Sequence, residues 1–361
     1  NGRISADTSV TFPKDHQHRK MGNFLSTPQT DKVTHVGEGN GISFGVSCMQ
    51  GWRTTMEDAH IAQANVPAFS GASIFAVFDG HGGNLVADES AVRFVDTLVK
   101  EHQHTNDPQA IGAGLRRAFL ALDTDLRAMQ KVESGEDQSG CTALAAFLTD
   151  THIIVANSGD SRGVLATCGD AVEPMSYDHK PNNAREKLRI EKAGGMVRNN
   201  RVNGDLAVSR ALGDFYFKER PDLAPEAQQV CFSVSPEPDI KIEARSPSNE
   251  FLLLACDGVW DVLTNEEACN YVRRVMLLGE TNMGLICEEL LDYCLSLDSR
   301  DNMSAVLVVL EGARFGTGDG VLGIRKEREA AEEAKKRQQE LVGQQEGQDP
   351  PQNMFTIAGS Q

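Results

Sequence analysis

The feature that most constrains this chain is an apolar run, residues 74–78, that stops abruptly at Asp79-Gly80-His81-Gly82-Gly83. Such a run predicts a buried strand that delivers charge to its own end, and the glycines let the backbone turn tightly and approach a ligand. Asp79 and His81 are side-chain types that hold metals or move protons. Taken alone, an Asp-Gly pair after a strand is most often a plain turn. Here the pattern recurs. Asp160 follows the apolar run 153–156, Asp257 ends the run 251–256, Asp301 precedes the run 305–310, and Glu57 and Asp58 closely follow a strand predicted from Ile42.

Strands of one core can bring such ends together. Several carboxylates meeting at a buried edge repel one another unless they are protonated or neutralised by cations. All-oxygen ligation by carboxylates, a backbone carbonyl and waters suits Mg²⁺ or Mn²⁺, whereas Zn²⁺ would want histidine and cysteine at chelating spacing. No His-Glu-x-x-His occurs.

With 361 residues and 40% hydrophobic content, the chain can bury a large core in one big domain or two. A net charge of -17 argues against a nucleic-acid surface, which needs a basic face. The eight cysteines form no Cys-x-x-Cys pair and read as reduced thiols of a cytoplasmic or nuclear protein. No apolar stretch approaches the roughly 18–20 residues of a membrane span, and no secretory signal is evident. Residues 1–20 read as a leader or disordered extension, outside the fold. Residues 21–26 match the N-myristoylation pattern, with Gly22 as acceptor if Met21 is the natural start; one acyl chain would anchor only weakly.

Residues 21–40 are an N-terminal segment, and the domain is expected to begin at Gly41, where Ile42, Phe44, Val46 and Cys48 alternate with smaller or polar residues. Helical faces run over 85–98 and 111–129, and short strands over 142–148, 153–156 and 164–166. The polar stretch 178–214, with a short helix at 184–192 ended by Gly194 and Gly195, reads as a flap beside the site. Further helical faces lie over 268–276 and 285–295. The core is expected to end near Glu311, in a domain of about 41–312. Residues 324–341 read as a solvated helix, followed by a disordered tail.

The segments Arg53-Thr54-Thr55-Met56-Glu57-Asp58, Phe78-Asp79-Gly80-His81-Gly82-Gly83, Ser139-Gly140-Cys141-Thr142-Ala143, Gly159-Asp160-Ser161-Arg162, Asp178-His179-Lys180-Pro181, the run 206–214, Cys256-Asp257-Gly258-Val259-Trp260-Asp261 and Asp301-Asn302-Met303-Ser304 occur in the order of one family's motifs. Together they resemble the type 2C metal-dependent serine/threonine protein phosphatases. The resemblance spans Gly41 to about Leu310 and implies an α+β fold, a four-layer α-β-β-α sandwich of two antiparallel sheets with a metal cluster at one edge. It implies Asp79 as the carboxylate bridging two Mg²⁺ or Mn²⁺ ions, Gly80 as a carbonyl ligand, and Asp257 and Asp301 as direct ligands. Glu57 and Asp58 would act through waters, Asp160 with Asp257 would belong to a third, weaker metal site, and Asp261 would be an outer partner. A metal-bridging water would attack phosphorus directly, without a phosphoenzyme. Arg53 would bind the substrate phosphate, His81 would protonate the leaving oxygen, and Arg201 in the flap would steer substrate. The implied enzyme is a monomer acting on phosphoserine and phosphothreonine proteins.

Two other motifs fail on chemistry. Cys294 to Arg300 has the spacing of a thiolate phosphatase loop, but no glycine permits a backbone cradle, Asp298 would repel phosphate, and Cys294 sits on an apolar face where a thiol stays protonated. The glycines 318, 320 and 323 fit a dinucleotide loop only formally, because a charged helix and no second parallel strand follow. The alternative of another class is a catalytically silent homologue that binds phosphoproteins. Such proteins usually lose ligands, and here every expected acid is present.

Overall fold

The computed structural model describes residues 24–102, 105–218 and 232–346. The chain opens with β1 (Phe24–Gly39), β2 (Ile42–Arg53), β3 (Ala59–Gln63), β4 (Ser73–Phe78) and the two-residue β5 (Gly80–His81), then α1 (Leu85–Glu101) and α2 (Pro108–Arg127). A short α3 (Gln130–Glu133) precedes β6 (Gly140–Cys141), β7 (Ala143–Leu148), β8 (His152–Ser158), β9 (Arg162–Thr167) and β10 (Ala171–Pro174). The flap holds α4 (Ala184–Lys192), the hairpin β11 (Val197–Arg198) and β12 (Arg201–Val202), and β13 (Leu212–Gly213). The remainder is β14 (Asp239–Ala244), β15 (Asn249–Ala255), α5 (Asp257–Trp260), α6 (Asn265–Leu277), α7 (Met283–Ser296), β16 (Met303–Val309) and α8 (Gly320–Glu346).

Two antiparallel sheets carry the fold, one in the order β1-β2-β16-β15-β9-β10 and the other β14-β8-β7-β4-β3. The apolar runs of the central strands β4, β7, β15 and β16 are continuous because these strands are covered on both faces. In β4, Phe75 and Val77 point between the sheets, while Ile74, Ala76 and Phe78 pack on α1 and α2. In β15, Leu252 and Leu254 join the same inter-sheet core, and Phe251, Leu253 and Ala255 face α6 and α7. The period of two thus splits each run between two cores, which produces the four-layer α-β-β-α sandwich. Each fully buried Phe or Leu contributes roughly 1.5–3 kcal/mol relative to exposure.

Two segments at the rim differ from expectation. Residues 24–39 are not a separate segment but β1, paired antiparallel to β2 from Gly39–Ile42 to Phe24–Arg53 with irregularities near Gln29. The strand hides in the sequence because it lies at a sheet edge and has few apolar residues. It is held by backbone pairing and by polar bonds to α7, Thr34 Oγ1 to Glu288 Oε1 at 2.9 Å and Lys32 Nζ to Asp292 Oδ1 at 2.6 Å. One signal was available: Asn40-Gly41, both at positive φ (49° and 71°), make the two-residue turn of a tight hairpin. The C-terminal helix is anchored as well as solvated. Val321 is fully buried, and Arg325 and Arg328 both pair with Glu289 of α7, which has no exposed surface. Beyond that first stretch its described side chains are mostly exposed. Residues 1–23, Gly22 among them, and the tail from 347 lie outside the described residues.

The flap is more ordered than its polarity predicts. Ile190, Val202, Val208, Ala211 and Val234 form a small core of their own. Helix α4 runs over the expected residues, and Gly194 at φ 86° closes it.

Candidate metal centre

Asp79 leaves the end of β4, Asp160 stands in the turn between β8 and β9, and Asp257 opens α5 directly after β15. One carboxylate oxygen from each lies within 4.8 Å of the others. Burial, then repulsion from Asp257, Asp58, Asp160 and Asp301, pushes the Asp79 carboxyl well above its usual range. Burial, with Asp160 and Asp301 next, does the same to Asp257. Asp58 is pushed up to about 7, chiefly by burial. Its Oδ2 accepts from Ser304 Oγ at 2.7 Å, but its buried Oδ1 has no partner.

A buried, partnerless carboxylate oxygen beside mutually repelling acids is costly without a cation, so the donor set fits a hard divalent ion. Gly80 completes the fit. A Cβ there would lie 2.1 Å from Glu57 O, so only glycine lets the Glu57 backbone and the turn after β4 approach this closely. Cys256 Sγ also comes near Asp58 and Asp79, but burial holds its thiol well above the ordinary value and keeps it protonated.

The backbone around the acids is fastened by short polar bonds. Asp79 N donates to Thr142 Oγ1 at 3.2 Å and Thr142 N donates to Asp79 O at 2.9 Å. Asn302 holds the opposite wall: its Nδ2 donates to Gln50 O (2.8 Å) and Thr55 O (2.9 Å), and its Oδ1 accepts from Glu57 N (3.0 Å). These bonds shape the loop that carries Arg53 and Glu57. Arg53 Nη2 lies 2.5 Å from Asp301 Oδ2, with the arginine side chain 42% exposed. Its guanidinium therefore reaches from the acids towards solvent.

The small sheet β13-β6-β5 decides the surroundings of His81. His81 pairs with Gly140 and Gly140 with Gly213, which brings Asp214 beside the imidazole. His81 Nε2 and Asp214 Oδ2 are 2.8 Å apart. Burial works against the charged imidazolium, but the Asp214 carboxylate overrides it and raises the His81 pKa. Gly140 has to be glycine, because a Cβ there would meet the Asp214 carboxylate at 2.3 Å. Behind it, Asp123 of α2 accepts from Gly213 N (2.9 Å) and pairs with the fully buried Lys218 (2.6 Å).

Further contacts surround the cluster. Asp160 Oδ2 accepts from Lys180 Nζ at 2.5 Å. Asp261, exposed at the end of α5, is raised in pKa by burial and by Asp160 and Asp301, against Lys180. Glu57 Oε1 accepts from Thr55 Oγ1 at 2.9 Å. Arg201 is exposed in the flap hairpin and donates to Asp205 O at 2.6 Å, within its own hairpin. Cys294 is buried and its thiol is pushed up to about 12 by burial, which leaves the thiolate-loop alternative without a nucleophile. Sequence reasoning assigned no role to Thr142, Lys180, Asp214 or Asn302, although each lies in a segment it singled out.

The sequence profile of the Protein phosphatase 2C family matches residues 42–303. The human protein named Protein phosphatase 1A is 39% identical over 332 residues, covering 90% of this chain and 85% of that protein. Protein phosphatase ppm-1.A of Caenorhabditis elegans is 40% identical over 314 residues, covering 82% of this chain and 65% of that protein. A solved phosphatase structure from Toxoplasma gondii superposes with a TM-score of 0.67 at 26% identity, covering 78% of this chain and 96% of that one.

Proposed function

The chain belongs to the Protein phosphatase 2C family and is a protein serine/threonine phosphatase, and from that premise we propose that it hydrolyses phosphoserine and phosphothreonine by direct attack of water, with no phosphoenzyme. The observation that carries this reading is the buried cluster of Asp79, Asp160 and Asp257 beside the partnerless oxygen of Asp58. Asp79, the Gly80 carbonyl, Asp257 and Asp301 would hold two Mg²⁺ or Mn²⁺ ions directly, with Glu57 and Asp58 acting through waters. Asp160 and Asp257, with Asp261 outside them, would hold a weaker third ion. When bound, such ions supply Lewis acidity that activates water and neutralises phosphoryl oxygens.

The remaining work falls to protein side chains. Arg53 would turn its guanidinium fork from Asp301 to the substrate phosphate, a planar donor pair that a lysine could not imitate. His81 would give a proton to the leaving serine or threonine oxygen; with Nε2 held by Asp214, Nδ1 is the nitrogen available for the transfer. Arg201 is free of the acids and would meet substrate only from the flap. Cys256, which lies against Asp58 and Asp79, keeps a buried, protonated thiol that is a poor nucleophile.

The test is phosphate release from a phosphothreonine peptide with Mn²⁺ or Mg²⁺, then with excess EDTA, beside Asp257→Asn. Activity that needs the ion and disappears in the variant is the expected result. A folded, ion-loaded protein that releases no phosphate would favour a silent phosphoprotein-binding homologue instead.

A second expectation concerns the proton. His81→Gln should lose about 100-fold on the phosphothreonine peptide and only a few-fold on a phenolic phosphate, whose leaving group needs no protonation. Asp214→Asn should follow the same leaving-group pattern more weakly. Equal losses on both substrates would remove His81 from the role of acid.

A further inference from the structure

Lys180 stands where an added cation would go. Its ammonium nitrogen is 2.5 Å from Asp160 Oδ2, on a side chain 34% exposed against 3% for the aspartate. The loop that carries it is clasped to the turn that carries Asp160. His179 N donates to Gly159 O at 2.9 Å, and Gly159 N donates to His179 Nδ1 at 3.2 Å. From the flap side, Ser209 N donates to His179 O at 3.0 Å. The lysine is therefore presented to Asp160 by a fixed backbone. Lys180 thus places its positive charge directly on the Asp160 side of the cluster.

We propose that Lys180 is a tethered cation that occupies the Asp160 side of the cluster and holds down the affinity for an additional divalent ion there. The inference rests on the reading of the cluster as a Mg²⁺ or Mn²⁺ site. An ammonium neutralises Asp160 but offers no lone pair, so it can substitute for the charge of an ion and not for its coordination. An incoming divalent ion must take Oδ2 from the lysine and then bear its repulsion at close range. Among the described residues Lys180 bonds Asp160 and not Asp79, Asp257 or Asp301, so at the tight positions its charge acts only from farther away. The arrangement makes occupancy of the outer position depend on ion concentration.

Removing the charge should tighten the outer step about tenfold or more. The experiment titrates Mn²⁺ into the wild type, Lys180→Met, Lys180→Gln and Lys180→Arg. Free Mn²⁺ is read by its room-temperature EPR signal and bound Mn²⁺ by calorimetric heat, with far-UV circular dichroism to verify folding. The wild type should show tight binding and a separate weak step. In Lys180→Met the weak step should move to at least about tenfold lower Mn²⁺ while the tight binding stays. Lys180→Gln keeps polar contact with Asp160 and should do the same, giving a second reading should Lys180→Met misfold. Lys180→Arg should restore the weak step, and adding Asp160→Asn to Lys180→Met should abolish the gained ion. A weak step that is unmoved or weakened in a folded neutral variant would overturn this inference alone. A wild type that binds no Mn²⁺ would overturn the metal reading and this inference with it.

Discussion

Asp79→Asn is expected to lower phosphate release by about a thousandfold or more, equivalent to about 4 kcal/mol, while making the ion-free protein more heat-stable than its parent. Both effects have one cause. The Asp79 carboxylate is buried and faces Asp257, Asp58, Asp160 and Asp301, all of which raise its pKa. Without cations this charge is a liability, and an amide of the same shape removes it. The bonds to Thr142 involve the Asp79 backbone and survive the change. The parent should gain melting temperature when Mg²⁺ is added, because an ion that binds only the folded state stabilises it, and Asp79→Asn should gain far less. Differential scanning calorimetry with and without Mg²⁺ reads this directly. Undiminished activity would remove Asp79 from the centre, and a lower melting temperature of the ion-free variant would show that repulsion does not dominate there.

Glu186→Gln is expected to destabilise the flap by about 3–5 kcal/mol, the cost of leaving a buried charge without its partner. Glu186 in α4 accepts from Arg210 Nη2 (2.6 Å), Arg189 Nη2 (2.9 Å) and Ser209 Oγ (2.9 Å), and both it and Arg210 are buried. Burial opposes its ionisation, yet Arg210 and then Arg189 and His179 overcome this and bring its pKa down to about 2. The folded value lies below the unfolded value of about 4.3. Its stabilising contribution is therefore complete above that value and is lost as pH falls towards about 2. Hydrogen exchange should quicken across residues 178–214 in the variant. Between about pH 4.5 and 2, the parent should lose more stability than Glu186→Gln does. Parallel curves for the two proteins would mean that Glu186 is not the group that titrates.

The acid cluster shows what was legible and why. Asp79, Asp160 and Asp257 could be singled out because burial is recorded locally: a strand covered on both faces has to be apolar, so a carboxylate at its end stands out. The helices α1, α2, α6 and α7 were legible for the same reason through their apolar faces, and α4 through the Gly194-Gly195 pair that ends it. β1 was not, because an edge strand is held by backbone pairing that places little demand on side chains; the Asn40-Gly41 turn was its one local mark. Helix α8 looked fully solvated because its hold on the domain depends on Glu289, a buried carboxylate in another helix.

By itself, the sequence determined the inventory: apolar runs of strand length, amphipathic helices, acids at the strand ends, and glycines such as Gly80 and Gly140 where another backbone or side chain must come close. Only the tertiary structure decided the pairings, namely which acids share a site, that Asp214 holds His81, that Asn302 shapes the loop of Arg53, and that Lys180 sits on Asp160. Periodicity reports the burial of a residue within its own element, whereas a charge takes its chemical role from partners that only the folding of distant segments brings within hydrogen-bonding reach.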